Sequence, residues 1–192
     1  MNVLLALSGG IASTTLLAHL LNINFNVATI AFSYKSTSND KENTAAINIA
    51  KHYDVPITLI DIASPMAEFQ MPVKIRNDNL KNLLFVSILA GIAESGEFDT
   101  IAIGTQNCAK ALISSMNLSM KFAFEEEMKL YAPYIRKKKK DILENGINLK
   151  IPFEKIRSCS SSLNYACGNC LQCMERINLF EERIESDPIT YD

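Results

Sequence analysis

Apolar positions in the first hundred residues fall into two alternating patterns. Short, almost unbroken apolar runs at Asn2 to Leu7, Val27 to Phe32, Ile57 to Asp61 and Thr100 to Gly104 predict strands covered on both faces. Between them lie longer stretches with apolar residues at helical spacing. Ser13 to Leu21 carries Leu16, Leu17 and Leu20. Asn39 to Tyr53 carries Ala46, Ile47, Ala50 and Tyr53, and Asn79 to Ser95 is a long helix closed by Gly96. Strands separated by helices of this length imply βαβ units, hence an α/β fold with a doubly wound parallel sheet.

Beyond Gly104 the pattern changes. Met116 to Leu130 reads as one helix, with Glu125, Glu126 and Glu127 on a solvated face. Pro133 breaks it, Arg136 to Lys140 form a basic run, and Asp141 to Glu144 make a short helix before Gly146. A last amphipathic helix runs from Met174 to Ile184. With no repeat and no flexible linker, residues 1–192 read as a single domain, its body spanning 1–150 and a C-terminal lobe 151–192.

Composition narrows the function classes. Nineteen Lys and Arg against 21 Asp and Glu give a net charge of −2, which argues against a general nucleic-acid binder. Leu83 to Ala93 is too short to cross a bilayer, so no membrane association is expected. Met1 leads straight into a strand with no basic export signal, and the expected location is the cytoplasm.

In that reducing setting the cysteines acquire a meaning. Cys159, Cys167, Cys170 and Cys173 are spaced C-x7-C-x2-C-x2-C, which suits one Zn2+ in a closed, structural tetrahedral site. Gly168 gives the knuckle its turn. The competing reading is two disulfides or buried thiols. Cys108 lies far from the group and reads as an ordinary loop or core residue.

The chemistry is sought at the other end. Ser8-Gly9-Gly10-Ile11-Ala12-Ser13-Thr14 sits between the first strand and the first helix. Two glycines allow a tight turn, the helix contributes unpaired amides and a positive dipole end, and the hydroxyls complete a cradle for phosphate. It lacks the Lys-Ser/Thr ending of the ordinary P-loop and the G-x-G-x-x-G of dinucleotide folds. The plain alternative is a Gly-Gly turn with Ser13 as helix cap.

Strand, S-G-G-x-D-S, helix resembles the PP-loop of the ATP-pyrophosphatases, which have a Rossmann-like fold. Within them the chain is similar to the QueC family, the 7-cyano-7-deazaguanine synthases. The resemblance rests on Phe32 to Lys35 with Glu42, and on Lys81-Asn82-Leu83-Leu84-Phe85-Val86-Ser87 against R-N-x-x-F-L-S. It rests also on Ile101 to Gly104, and on Pro133, Lys139, Asp141 and Ile142 at the spacing P-x5-K-x-D/E-I. Ser158-Cys159 and the run from Cys167 through Arg176 to Phe180 complete it.

The resemblance implies an enzyme that uses ATP and Mg2+ to adenylate the carboxylate of 7-carboxy-7-deazaguanine. Ammonia then displaces AMP, and a second activation converts the amide to a nitrile. It implies Leu7, Ser8, Gly9, Gly10, Ser13, Thr14, Tyr34 and Gly104 at the ATP site, Lys81 and Asn82 at the substrate, and Lys139 on the phosphates. A solvated face is the competing reading for Lys139. It also implies a homodimer, with Leu171, Met174, Ile177 and Phe180 facing either a partner or the chain's own body.

Two departures qualify the expectation. Ala12 stands where the motif has Asp, and a methyl group cannot coordinate a hard cation. The intact cradle around it favours a deliberate or recent single change over slow decay. Thr105-Gln106-Asn107-Cys108 replaces the expected Gly-Tyr-Pro-Asp-Cys segment, and Arg157 an aromatic residue, so the acceptor amine is open. A ligase acting on an amine of a protein partner and an inactive nucleotide-binding scaffold are the alternatives.

Overall fold

The computed structural model describes residues 1–33, 37–63, 78–106, 108–124, 128–183 and 186–192, the side chains of Thr37 and Asp78 excepted. Five strands form one parallel sheet: β1 (Asn2–Ala6), β2 (Asn26–Ser33), β3 (Ile57–Asp61), β4 (Thr100–Ile103) and β5 (Lys129–Tyr131), in the order β3-β2-β1-β4-β5. Helices α1 (Ile11–Asn22), α2 (Thr37–His52), α3 (Asp78–Ser95), α4 (Lys110–Ala123), α5 (Lys139–Asn148) and α6 (Leu171–Glu181) accompany it, with a 3-10 turn at Phe153–Lys155.

The apolar runs are explained by what lies on each face. Val3 and Leu5 of β1 join Leu16, Leu17 and Leu20 of α1, Ala46 and Ile49 of α2 and Leu143 of α5 in one core. Leu4 points the other way, into a second core with Leu89 of α3, Ile101 of β4 and Met116 of α4. A strand buried on both faces has no polar position to alternate with.

After Gly104 the structure corrects the sequence reading. The helix expected from Met116 to Leu130 is α4, which starts at Lys110 and stops at Ala123, where Phe124 turns extended (φ −114°, ψ 141°). Lys129–Tyr131 is a fifth strand beside Thr100–Ala102. Only Leu130 of its three residues is buried, so no alternation exists to detect. The side chain of Asn117 takes the Leu130 amide at 3.1 Å and fixes the strand start. Glu125 to Glu127 lie outside the described residues. Helix α5 also runs through Gly146 instead of stopping there, because that glycine is where α5 crosses α1, within 3.0 Å of Thr15 Oγ1 for any added Cβ.

Arg176 of α6, 2% exposed, ties the C-terminal residues to one another. Its guanidinium donates to Asp187 at 2.7 and 2.8 Å and to the carbonyls of Ile156 and Phe153 at 3.1 and 3.0 Å. Phe180, on the same helix, packs edge-on against Phe153 in the first core. Among the described residues no helix is long and apolar enough to cross a membrane.

Candidate active site and metal centre

The strand order reverses at β1, which pairs with β2 on one side and β4 on the other. Open α/β sheets bind ligands at this reversal, beyond the carboxyl ends of the strands. The Ser8–Gly10 turn leaves β1 at that point. Gly9 has φ +76°, and a Cβ there would lie 2.6 Å from the Glu42 carbonyl oxygen and 2.9 Å from the Ala46 nitrogen. Only glycine meets both demands. Gly104, at the end of β4, rests against the start of α1, since a Cβ on it would come within 2.8 Å of Ser13 N and Cα.

Gly10, not Ser13, is the N-cap of α1, and it makes no side-chain cap bond. Ser13 Oγ instead accepts the Ser8 amide at 3.2 Å and donates to the Gly10 carbonyl at 3.2 Å, so it braces the turn from inside. Thr14 Oγ1 donates to the same carbonyl at 2.8 Å. The first amide bond of the helix is Thr14 to Gly10, so the amides before it remain for a ligand. The Arg157 amide donates to the Gly9 carbonyl at 3.0 Å, which links the C-terminal lobe to the turn.

Two cavities meet on this turn and share Ser8, Ser13, Gly104 and Gln106. The first, about 290 Å³, is lined further by Leu7, Phe32, Glu42, Lys81, Asn82 and Phe85. Phe32 and Phe85 stack with centroids 4.1 Å apart and planes 5° from parallel, and Lys81 Nζ lies 5.7 Å above the Phe85 ring. Burial holds the Glu42 carboxyl above its ordinary value, opposed by the charge of Lys81, an Asn39 hydrogen bond and the charge of Arg157. The second cavity, about 270 Å³, opens toward the lobe and contains Ala12, Lys139, Arg157 and Glu175. Lys139, exposed at the first turn of α5, forms an ion pair with Glu175 across its wall.

The structure thus brings Leu7, Ser8, Gly10, Ala12, Ser13, Gly104, Lys81, Asn82 and Lys139 around one connected site, with Gly9 buried in the turn against α2 and Thr14 buried beneath it. Tyr34 lies outside the described residues. Sequence reading missed the Phe32–Phe85 stack, Gln106 and Glu175. The aromatic pair could have been found from Phe32 at a strand end and Phe85 on the helix crossing over it. Gln106 and Glu175 carry no signal in the sequence. Asn82 Nδ2 lies 3.4 Å from Thr105 Oγ1, and Gln106 Nε2 donates to the Lys137 carbonyl at 2.9 Å.

The four cysteine sulfurs lie within 4.8 Å of one another. Cys159 Sγ is 3.5 Å from Cys167 Sγ and 4.0 Å from Cys170 Sγ, too far for disulfides, and all four cysteines are free. Sulfurs on a tetrahedral zinc stand about 3.8 Å apart, so the set fits such an ion. The amides of Ser161 and Cys167 donate to Cys159 Sγ, each at 3.4 Å. Burial raises the Cys170 thiol, but hydrogen bonds involving Ser160 and Cys173 outweigh it and bring it down to about 6. Burial, then contacts with Cys170 and Cys159, push Cys173 up to about 12. A metal ion entering this cluster would displace the protons of the thiols that bind it.

The Mg2+ expectation has less support. At position 12 there is a methyl group, and the carboxylates lining the two cavities are Glu42, whose charge burial disfavours, and Glu175, already bound to Lys139. These residues do not assemble a hard-cation site.

A parallel sheet with a glycine turn at its reversal and hydroxyls behind that turn is the PP-loop nucleotide-binding fold. An NMN synthetase structure from Francisella tularensis shares it, with a TM-score of 0.57 and 14% identity over 94% of this chain and 84% of that one. The chain belongs to the family described as Queuosine biosynthesis protein QueC, whose model matches residues 2–184. It is 29% identical over 217 residues to the 7-cyano-7-deazaguanine synthase of Caldicellulosiruptor saccharolyticus, covering 100% of this chain and 96% of that protein. It is 27% identical over 210 residues to 7-cyano-7-deazaguanine synthase 2 of Colwellia psychrerythraea, covering 96% and 95%.

Proposed function

We propose that this chain is a QueC-type enzyme that uses ATP to activate the carboxylate of 7-carboxy-7-deazaguanine for attack by ammonia. The observation that supports it most is the pair of cavities joined at one glycine turn. The first offers flat aromatic walls and the amide of Asn82, which suit a purine-like ring. The second offers main-chain amides, hydroxyls and Lys139, which suit phosphate. A carboxylate is a poor electrophile. Its oxygen attacks the α-phosphorus, pyrophosphate leaves, and the mixed anhydride then gives its acyl group to ammonia with AMP as leaving group. The protein needs no nucleophile for this, only positioning, charge stabilisation and exclusion of water.

In this reading Ser8, Gly9, Gly10, Ser13 and Thr14 shape the phosphate cradle, and Leu7 and Gly104 form its sides. Lys81 and Asn82 meet the heterocycle. Lys139 leaves Glu175 for the phosphates when these arrive. The cysteines hold Zn2+ as a closed structural ion, which stabilises the lobe carrying Glu175 and Arg157 and takes no part in bond making.

The test is incubation with ATP, ammonium and the deazaguanine acid, with AMP, pyrophosphate and deazaguanine products followed by mass spectrometry, for the parent and for Ala12→Asp. ATP binding by the parent and a rise in AMP and pyrophosphate in Ala12→Asp, with thermal stability little changed, support the reading. An inert Ala12→Asp, together with ATP binding that survives Ser8 and Gly9 substitutions, overturns it in favour of a scaffold.

A further inference from the structure

A groove of about 870 Å³ lies between α2, the 3-10 turn and the C-terminal lobe. Residues 41, 44, 45, 48, 51 and 52 of α2 all face it, a single helical stripe that includes Lys41, Lys51 and His52. Arg157 enters from the lobe. Its guanidinium donates to the carbonyls of Ser161, Leu163 and Asn164 at 2.9, 2.9 and 3.3 Å. Lys41 donates to the neutral Asn164 Oδ1 at 2.6 Å. Among the described residues no carboxylate lies within ion-pair distance of Lys41, Lys51 or Arg157. The groove's one acid, Glu154, is paired with Lys155 at 3.2 Å. At the rim Tyr165 is 64% exposed.

We infer that this groove binds a short single-stranded nucleic-acid segment, two or three nucleotides long, at a site that shares only Arg157 and Ser158 with the cavities of the proposed ATP site. Lys41 and Lys51, without acidic partners, and Arg157, whose charge also reaches Glu42, meet phosphodiesters, Tyr165 gives a face for a base to stack on, and Asn48 and Asn164 give amides for base edges. The groove has three times the volume of the cavity suited to one purine-like ring, 870 against 290 Å³. An acidic peptide is disfavoured, because it would need a free main-chain edge. The carbonyls along the lobe wall are already taken, those at 161, 163 and 164 by Arg157 and that of Ala166 by the Asp192 amide at 2.8 Å. A net charge of −2 confines the attraction to this groove, so long duplexes gain nothing over short strands.

The test is fluorescence anisotropy of the full chain with labelled five-nucleotide RNA and DNA strands, a duplex of the same sequence and a pentaglutamate peptide. Single strands should bind with a dissociation constant on the order of 10⁻⁵ M at low salt, and affinity should fall with salt at a log–log slope of about −2. Lys41→Glu/Lys51→Glu should weaken binding at least tenfold, and Tyr165→Ala, at a side chain 64% exposed, about tenfold. Lys121→Glu, on the exposed side of α4, should not matter, and excess ATP should not displace the strand. Binding that ignores both groove variants, prefers pentaglutamate or is competed away by ATP overturns the inference. The proposed ATP chemistry is untouched by that result, since it is scored separately by AMP release.

Discussion

The glycine turn and the cysteine lobe solve opposite problems. The turn rests on two large apolar cores, and its ligand groups are mostly main-chain amides and hydroxyls that the fold supplies once the backbone is placed. Around the cysteines, among the described residues, the local cluster has three buried members, Cys159, Ala166 and Cys173, two of them thiols, whereas Phe153, Ile156 and Phe180 belong to the first core. Apolar burial that small cannot offset the conformational entropy of ordering the segment. Stability of the body is therefore diffuse, whereas that of the lobe is concentrated in a few residues.

The largest expected effect follows from that contrast. Removing the metal with a chelator, or making Cys173→Ser, should unfold the lobe, since structural zinc supplies about 10–16 kcal/mol in small peptides. Metal analysis should fall from one zinc per chain to none, and amides from Cys159 to Arg176 should lose hydrogen-exchange protection while those of β1 and α1 keep it. Equal protection in the metal-free lobe would break the comparison.

Next in size is the second staple. Arg176→Met leaves Asp187, 7% exposed, as a buried charge without its partner. That should cost about 3–5 kcal/mol, a fall in melting temperature of roughly 2–4 °C per kcal/mol for a chain of this size. Arg176→Met/Asp187→Leu should recover at least half of it, because two apolar side chains remove the stranded charge. A double variant no better than the single one would assign Arg176 a packing role with Phe180, over whose ring its guanidinium carbon lies at 5.7 Å.

On the other side of the comparison, Gly104→Ala should lose nucleotide binding more than stability. Its methyl must displace the start of α1 at 2.8 Å, where the cradle's amides originate. The expected stability loss is about 1–3 kcal/mol, with ATP affinity, read by calorimetry, reduced at least tenfold. If affinity and stability fall in proportion, the cradle is no more sensitive to position than the rest of the body.

The same contrast decides what was legible in the sequence. β1, β2 and β4 and the helices between them were readable because a doubly covered sheet writes its burial as apolar runs, whereas Ile57–Asp61 carries such a run yet lies at the sheet edge with no residue buried, against the expectation that it is covered on both faces. The short strand at Lys129–Tyr131 was not readable, since one buried leucine between exposed neighbours has no period. Gly146 was read as a stop because helix crossings leave the same glycine signature as helix ends. The cysteines were legible from spacing alone, because a tetrahedral ion fixes that spacing. Glu175 and Gln106 were not, because their importance comes from residues more than thirty positions away, Lys139 and Lys137.

The smallest effect tests the electrostatics of the turn itself. Glu42 sits behind Gly9 with its carboxyl held above the ordinary value, burial outweighing Lys81, Asn39 and Arg157. An acid whose folded-state pKa is raised contributes stability that is fully present below its unfolded value, near 4.3, and is lost as pH rises through the folded value. Glu42→Gln keeps the neutral shape at every pH. The variant should therefore melt slightly above the parent at pH 7 to 8, and the difference should shrink to nothing as the pH approaches 4. Thermal denaturation across that range checks it. A variant less stable than the parent at neutral pH would mean that Lys81 and Arg157 win over burial, with the carboxylate as a charged brace of the turn. Glu42 would then belong with Arg176 among the specific staples, and the glycine turn would be less independent of charge than its main-chain cradle implies.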